Sequence, residues 1–177
     1  PLMASFGTGY RWHVTGLIHD EAGRPTSRPE AAEALLRRLS RKIEKAAPEL
    51  EDNFAESLED AEVVVVAYGS SAMSALSAVR RARREGIKAG MLRPRTLWPF
   101  PDAAIARAAA RAKRIVVPEM SLGQLALEVE RAARGAAPVS RLGKVSGELF
   151  RPDEIAAVLR DGAVLKDGAS ASPEARA

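Results

Sequence analysis

The period of apolar positions along the chain separates a long helix from a repeating β–α pattern. Between Ser27 and Pro48, Ala32, Leu35, Leu36, Leu39, Ile43 and Ala46 fall on one face, the spacing of an amphipathic helix. Ser27 and Glu30 stand at capping-box spacing, so the helix is expected to open at Ser27 and to stop at Pro48. Its other face is basic, with Arg37, Arg38, Arg41, Lys42 and Lys45. Residues 1–27 are glycine-rich and irregular apart from a strand-like piece, Tyr10–Val14, and read as an arm or linker from an upstream domain. Residues 28–60 then comprise the helix and an acidic connection, Glu49–Asp60.

From Glu62 onward the pattern becomes strand–helix alternation. Val63–Ala67 is wholly apolar, as expected of a central parallel strand covered on both faces. A helix Ala72–Glu85 follows, with Ala72, Ala75, Leu76 and Val79 inward and Gly86 as its C-terminal cap. The pattern then predicts strand Lys88–Leu92, helix Asp102–Ala112, strand Arg114–Val117, helix Leu122–Arg134, strand Val139–Leu142 and helix Pro152–Arg160. Strand starts at 62, 88 and 114 lie 26 residues apart, about one βα unit. The fold class is therefore α/β: a three-layer α/β/α domain over residues 61–160 with an open, mostly parallel sheet. Residues 161–177, rich in Ala, Gly and Ser, are expected to be a disordered tail.

Right-handed crossovers bring every βα turn to one edge of such a sheet. Candidate chemistry is therefore sought in Gly69–Met73, Arg93–Trp98 and Glu119–Gln124. In the first turn, Ser70 and Ser71 at a helix N-terminus could meet a phosphate, or serve a tight turn with a serine cap. One glycine and no lysine match neither a dinucleotide fingerprint nor a P-loop. The second turn, stiffened by Pro94, Pro99 and Pro101, carries Arg93, Arg95, Trp98 and Phe100. That composition suits anion capture or a protein interface; equally, the two aromatics could seal the sheet edge. In the third turn Ser121 and Gln124 have capping-box spacing, and Glu119 is expected to pair with Arg93 or Arg95. No catalytic residue is assigned, since a lone carboxylate lacks the partner that acid–base work needs.

Composition narrows these options. With zero cysteines the chain has no thiol nucleophile and no thiolate for zinc or an iron–sulfur cluster. His13, His19, Asp20 and Glu21 match no common metal-ligand spacing, so no metal is assigned. The net charge is +4, and the 21 arginines against 6 lysines are scattered among acids. With aromatics at 5%, a stacking nucleic-acid surface is not expected. Arg80, Arg81, Arg83 and Arg84 close a helix, where cations suit the dipole. The longest apolar run, near Val63–Tyr68, is too short to span a membrane. No apolar block opens the chain, so the cytoplasm is the expected compartment. A start at Pro1 fits a fragment or a processed chain.

Together, Val63–Gly69 with Ser70 and Ser71, Leu92–Pro101 ending Leu97-Trp98-Pro99-Phe100-Pro101, and Val116–Met120 with Gly123-Gln124 resemble the α subunit of 2-oxoacid:ferredoxin oxidoreductases, nearest the 2-oxoglutarate branch. His13-Val14-Thr15-Gly16-Leu17, His19-Asp20-Glu21 and Gly23-Arg24-Pro25 look like that family's junction after its pyrimidine-binding domain. Gly147-Glu148, Phe150, Pro152 and Glu154-Ile155 are similar too, and Ser121 departs from an expected Asn. The resemblance implies a transketolase C-terminal-like domain. It implies thiamine diphosphate, Mg, iron–sulfur clusters and coenzyme A for the whole complex and none of them in this chain. The implied partners are the upstream pyrimidine-binding domain, the β subunit and ferredoxin, in an oligomer. Two rival readings share parts of this pattern. One is the equivalent domain of a transketolase or a 2-oxoacid dehydrogenase E1 β chain; the other is a stand-alone anion-binding or scaffolding module.

Overall fold

The computed structural model describes residues 4–11 and 14–161. The chain divides into two units, Pro1–Glu49 and Leu50–Ala177. In the first, two short antiparallel strands, β1 (Ile18–His19) and β2 (Pro25–Thr26), precede a helix, α1 (Pro29–Leu50). The strand expected at Tyr10–Val14 does not form at Tyr10, Arg11 or Val14, and its other two residues lie outside the described residues. Asp20 organises the hairpin, because its carboxylate accepts from the N–H groups of Ala22 and Arg24, both at 2.9 Å.

Helix α1 opens two residues later than its capping-box spacing suggests. Pro29 takes the first helical position, where a missing N–H costs nothing, and the Thr26 hydroxyl, not Ser27, accepts from Arg28 N–H. Pro48 does not stop the helix, since it removes one backbone donor only two residues before the end. The apolar stripe is real, yet no residue of α1 is buried.

The second unit holds the sheet. In chain order it contains β3 (Asn53–Glu56), β4 (Val63–Val66), α2 (Gly69–Arg84), β5 (Ala89–Pro94), α3 (Asp102–Ala109), β6 (Arg114–Glu119), α4 (Gln124–Ala133), β7 (Val139–Gly143) and α5 (Pro152–Asp161). The strand order is β3-β5-β4-β6-β7. All pairs are parallel except β3 with β5. The acidic connection is thus not a plain linker, because Asn53–Glu56 adds an antiparallel edge strand. Most of the expected tail, residues 162–177, lies outside the described residues; Asp161 ends α5.

The alternation of strand side chains builds two cores. Val63, Val65, Met91 and Val116 face α2 and α5, while Val64, Val66, Leu92, Ile115 and Val117 face α3 and α4. This is the three-layer α/β/α architecture. Each fully buried valine contributes roughly 1.5 kcal/mol or more, which is why a run of four in β4 commits the chain to a central strand. Helix α2 ends as expected: Gly86, at φ +85°, allows Gly86 N–H to reach Arg83 O and Ile87 N–H to reach Ala82 O, the paired bonds of a Schellman stop.

Candidate functional site

The three βα turns do gather at the carboxyl edge of the sheet. Side-chain contacts tie them together: Ser70 Oγ lies 3.8 Å from Met120 Sδ, and Arg93 Nη1 lies 3.7 Å from Met73 Sδ. In the first turn Tyr68, not a serine, is the N-cap of α2 and supplies no side-chain bond. Gly69 begins the helix at φ +58°, a conformation that glycine adopts without strain. Ser70 is exposed, whereas Ser71 is buried in the α2 packing face.

The second turn divides the residues that the sequence grouped. Arg95 is exposed, pairs with Asp52 at 3.3 Å and lies over the Phe54 ring. Arg93 is half-buried, its Nε without a hydrogen-bond partner. Across a cis Trp98–Pro99 peptide the two aromatics part. Trp98 is 74% exposed; Phe100 packs on the core of the α3–α4 face and lies beneath the Arg131 guanidinium. Sealing the edge is therefore Phe100's role alone.

The third turn is built on Glu119, which is 2% exposed. Its expected ion pair with Arg93 or Arg95 does not form, because β4 stands between β5 and β6. Two interstrand steps of ~4.8 Å separate those strands. The carboxylate instead accepts from the Ser121 hydroxyl, from Leu125 N–H at 3.0 Å and from Ala126 N–H at 3.3 Å. Arg141, from neighbouring β7, places Nε 3.5 Å from it and donates through Nη2 to Ser121 O. A methyl at Gly143 would stand where that guanidinium lies. The Ser121–Gln124 capping box is consequently absent. Gly123 is the N-cap of α4 without a side-chain bond, Gln124 is exposed, and a carboxylate from the preceding strand satisfies two of the helix's free N–H groups.

Three of the four arginines that close α2 are paired as well as favoured by the helix dipole. Arg80 bonds Glu56 through two nitrogens, Arg83 bonds Asp60 and the carbonyls of Ser57 and Ala89, and Arg81 bonds Glu85 and Asp153. Arg160, then Arg81, hold the Glu85 carboxyl at a pKa of about 2. His19 Nε2 lies 3.2 Å from Thr15 Oγ1. Among the described residues no three His, Cys, Asp or Glu side chains converge as metal ligands, and no helix is long and apolar enough to cross a membrane.

The edge thus offers an exposed tryptophan, an exposed serine, a half-buried arginine and a buried carboxylate that accepts three hydrogen bonds from its own turn and helix. Residues 61–155 match the family described as pyruvate:ferredoxin oxidoreductase core domain II. The 2-oxoglutarate synthase subunit KorA of Methanothermobacter thermautotrophicus is 45% identical over 156 residues, covering 88% of this chain and 42% of that protein. The chain therefore spans less than half the length of that relative. A solved 2-oxoglutarate:ferredoxin oxidoreductase from Magnetococcus marinus, with 2-oxoglutarate, coenzyme A and succinyl-CoA bound, superposes with a TM-score of 0.71 at 26% identity. It covers 90% of this chain and 28% of that one. A split-gene transketolase shares the fold, with a TM-score of 0.50 at 24% identity over 61% of this chain and 40% of its own.

Proposed function

The chain belongs to the pyruvate:ferredoxin oxidoreductase core domain II family, and we propose that it is the transketolase C-terminal-like domain of the α subunit of a 2-oxoglutarate-type 2-oxoacid:ferredoxin oxidoreductase. The whole enzyme would oxidatively decarboxylate a 2-oxoacid to its acyl-CoA and pass the electrons to ferredoxin, in the cytoplasm. Thiamine diphosphate with Mg, iron–sulfur clusters and coenzyme A would supply that chemistry. The residues of this chain do not fit the clusters: it has no cysteine. Nor do the described residues offer a metal-ligand set. These groups are assigned to the pyrimidine-binding domain and the β subunit, and no chemical step is assigned to this domain.

The role proposed for the domain is structural. The observation that carries it is the enclosure of Glu119: it is 2% exposed, and each oxygen of its carboxylate already accepts from the protein's own donors. A proton-transfer group needs a free face toward substrate. Trp98, exposed on the same edge, is the proposed anchor for a neighbouring domain or subunit, with Ser70, Arg93, Arg95 and Gln124 as further candidates from the three turns. An exposed aromatic on a proline-stiffened turn loses little entropy when a partner covers it. Reconstitution tests the reading. Joined to the rest of its enzyme, the domain should support ferredoxin reduction with 2-oxoglutarate, and a preference for another 2-oxoacid would overturn the branch assigned.

A further inference from the structure

The exposed apolar side chains of the sheet unit are segregated. Tyr68, Met73, Leu97, Trp98 and Leu122 lie open on or beside the three βα turns, and Leu149 on the loop that leaves the carboxyl end of β7. That loop reaches the first turn, because Ser74 Oγ donates to Phe150 O at 2.6 Å. At the amino edge the pattern reverses. The large apolar residues of its loops, Leu58 and Ile87, are half-buried against the core, and charged residues such as Asp60, Lys88, Lys113 and Arg134 are exposed there. Single exposed apolar residues are ordinary, but apolar surface gathered on one edge marks a place that another surface covers.

One charge at the carboxyl edge is left over. Arg141 faces Glu119, Arg95 pairs with Asp52 and Arg131 with Asp102, whereas Arg93 has no carboxylate partner among the described residues. Arg93 lies two residues beyond Met91 and so on the α2 side of β5. Its Nη1 donates only to the Met73 thioether, at 3.7 Å, a weak acceptor. Nε is enclosed and out of reach, but Nη2 is neither enclosed nor bonded to any described residue, so that corner of the guanidinium is open to a ligand. A lone guanidinium among apolar side chains balances one negative charge, and exchanging a thioether for a carboxylate gains a charge-assisted bond. We propose that the carboxyl edge docks a protein segment presenting one Asp or Glu carboxylate among apolar side chains. Arg93 is the partner of that carboxylate, and Met73 and Trp98 are its apolar contacts. The inference rests on the structural role proposed above and gives its partner a chemistry. The occupant belongs to the remainder of the enzyme, since this chain spans only 42% of its KorA relative.

The test mixes the domain with the remainder of its enzyme and measures their affinity by analytical ultracentrifugation at several salt concentrations, with urea midpoints reporting folding. Arg93→Met keeps the aliphatic stem and removes the charge. It should weaken assembly about tenfold or more, the scale of one lost charge-assisted bond, and flatten the salt dependence. Arg93→Lys should restore the salt dependence. Met73→Glu supplies Arg93 with a carboxylate from within, so it should weaken assembly while the domain's own urea midpoint holds or rises. Unchanged affinity and salt dependence in Arg93→Met, or normal assembly of Met73→Glu, would overturn the proposal. So would self-association of the isolated chain that Arg93→Met abolishes, because the occupant would then be a second copy. If the unchanged domain fails to assemble at all, the structural role itself falls, and this inference with it.

Discussion

Replacing Glu119 by glutamine keeps the shape of the side chain and removes its charge. The carboxylate has two acceptor oxygens; its hydrogen-bond donors are Ser121 Oγ and the N–H groups of Leu125 and Ala126, while Arg141 Nε stands 3.5 Å away as an ion-pair partner without a hydrogen bond. An amide turns one acceptor into a donor, so at least one of these groups must then face another N–H. Losing a helix cap costs about 0.5–2 kcal/mol. Weakening a bond to a charged group costs about 1.5–3 kcal/mol, discounted here because Arg141 sits at 3.5 Å and keeps its bond to Ser121 O. The combined expectation is a loss of roughly 2–4 kcal/mol.

Urea unfolding followed by circular dichroism measures that loss. The midpoint should fall while the slope stays constant, since the exposed area on unfolding is unchanged. In the assembled enzyme Glu119→Gln should lower stability or assembly and leave the pH–rate profile in place. A loss below about 0.5 kcal/mol, the level of an ordinary surface change, would refute the capping role. A complex that assembles normally yet turns over about a thousandfold slower, the scale of a lost acid–base group, would show that Glu119 is catalytic.

Trp98→Ala should leave the unfolding midpoint within the range of surface substitutions but weaken assembly of the full complex, read by analytical ultracentrifugation; an unfolded variant would place Trp98 in the core. Titration calorimetry of the isolated chain with thiamine diphosphate and Mg should give no heat of binding, and micromolar affinity would sink the assignment of cofactor sites to other parts of the enzyme. Gly90→Ala should lower the melting temperature, because its Cβ would lie 2.6 Å from Ser57 O and 2.8 Å from Ala61 Cβ, an overpacking worth about 1–3 kcal/mol. On acidification, Glu56 and Asp60, held low by Arg80 and Arg83, and Glu85 at about 2 are charged in the fold below their unfolded pKa values. Their contribution is complete above the ordinary carboxylate range and fades as pH falls toward about 2, so added salt should blunt the acid transition.

What the sequence disclosed, and what it hid, follows from how far each interaction reaches along the chain. The run Val63–Val66 announces itself because both faces of β4 are covered, and period and burial then say the same thing. Strand β3 is hidden because Asn53–Glu56 is a partly polar edge segment within an acidic stretch, and its pairing with β5 spans some forty residues. The α4 cap shows the same limit more sharply. Ser121 and Gln124 have the right spacing to cap one another, but the Ser121 hydroxyl is drawn to a buried carboxylate that can accept from several donors at once. Local spacing loses because Glu119 already stands at the helix N-terminus, where its charge is favoured. Its cationic partner is hidden for a related reason. Arg93 and Arg95 are near it in the turn order, but strand order decides which side chains meet, and β6 borders β7, not β5. That neighbour supplies Arg141, and Gly143 two residues on leaves the space its guanidinium fills. The edge is thus assembled from non-local parts: Glu119 is held by its own helix and by Arg141, while Arg93 and Arg141 each keep one Nε without a hydrogen-bond partner.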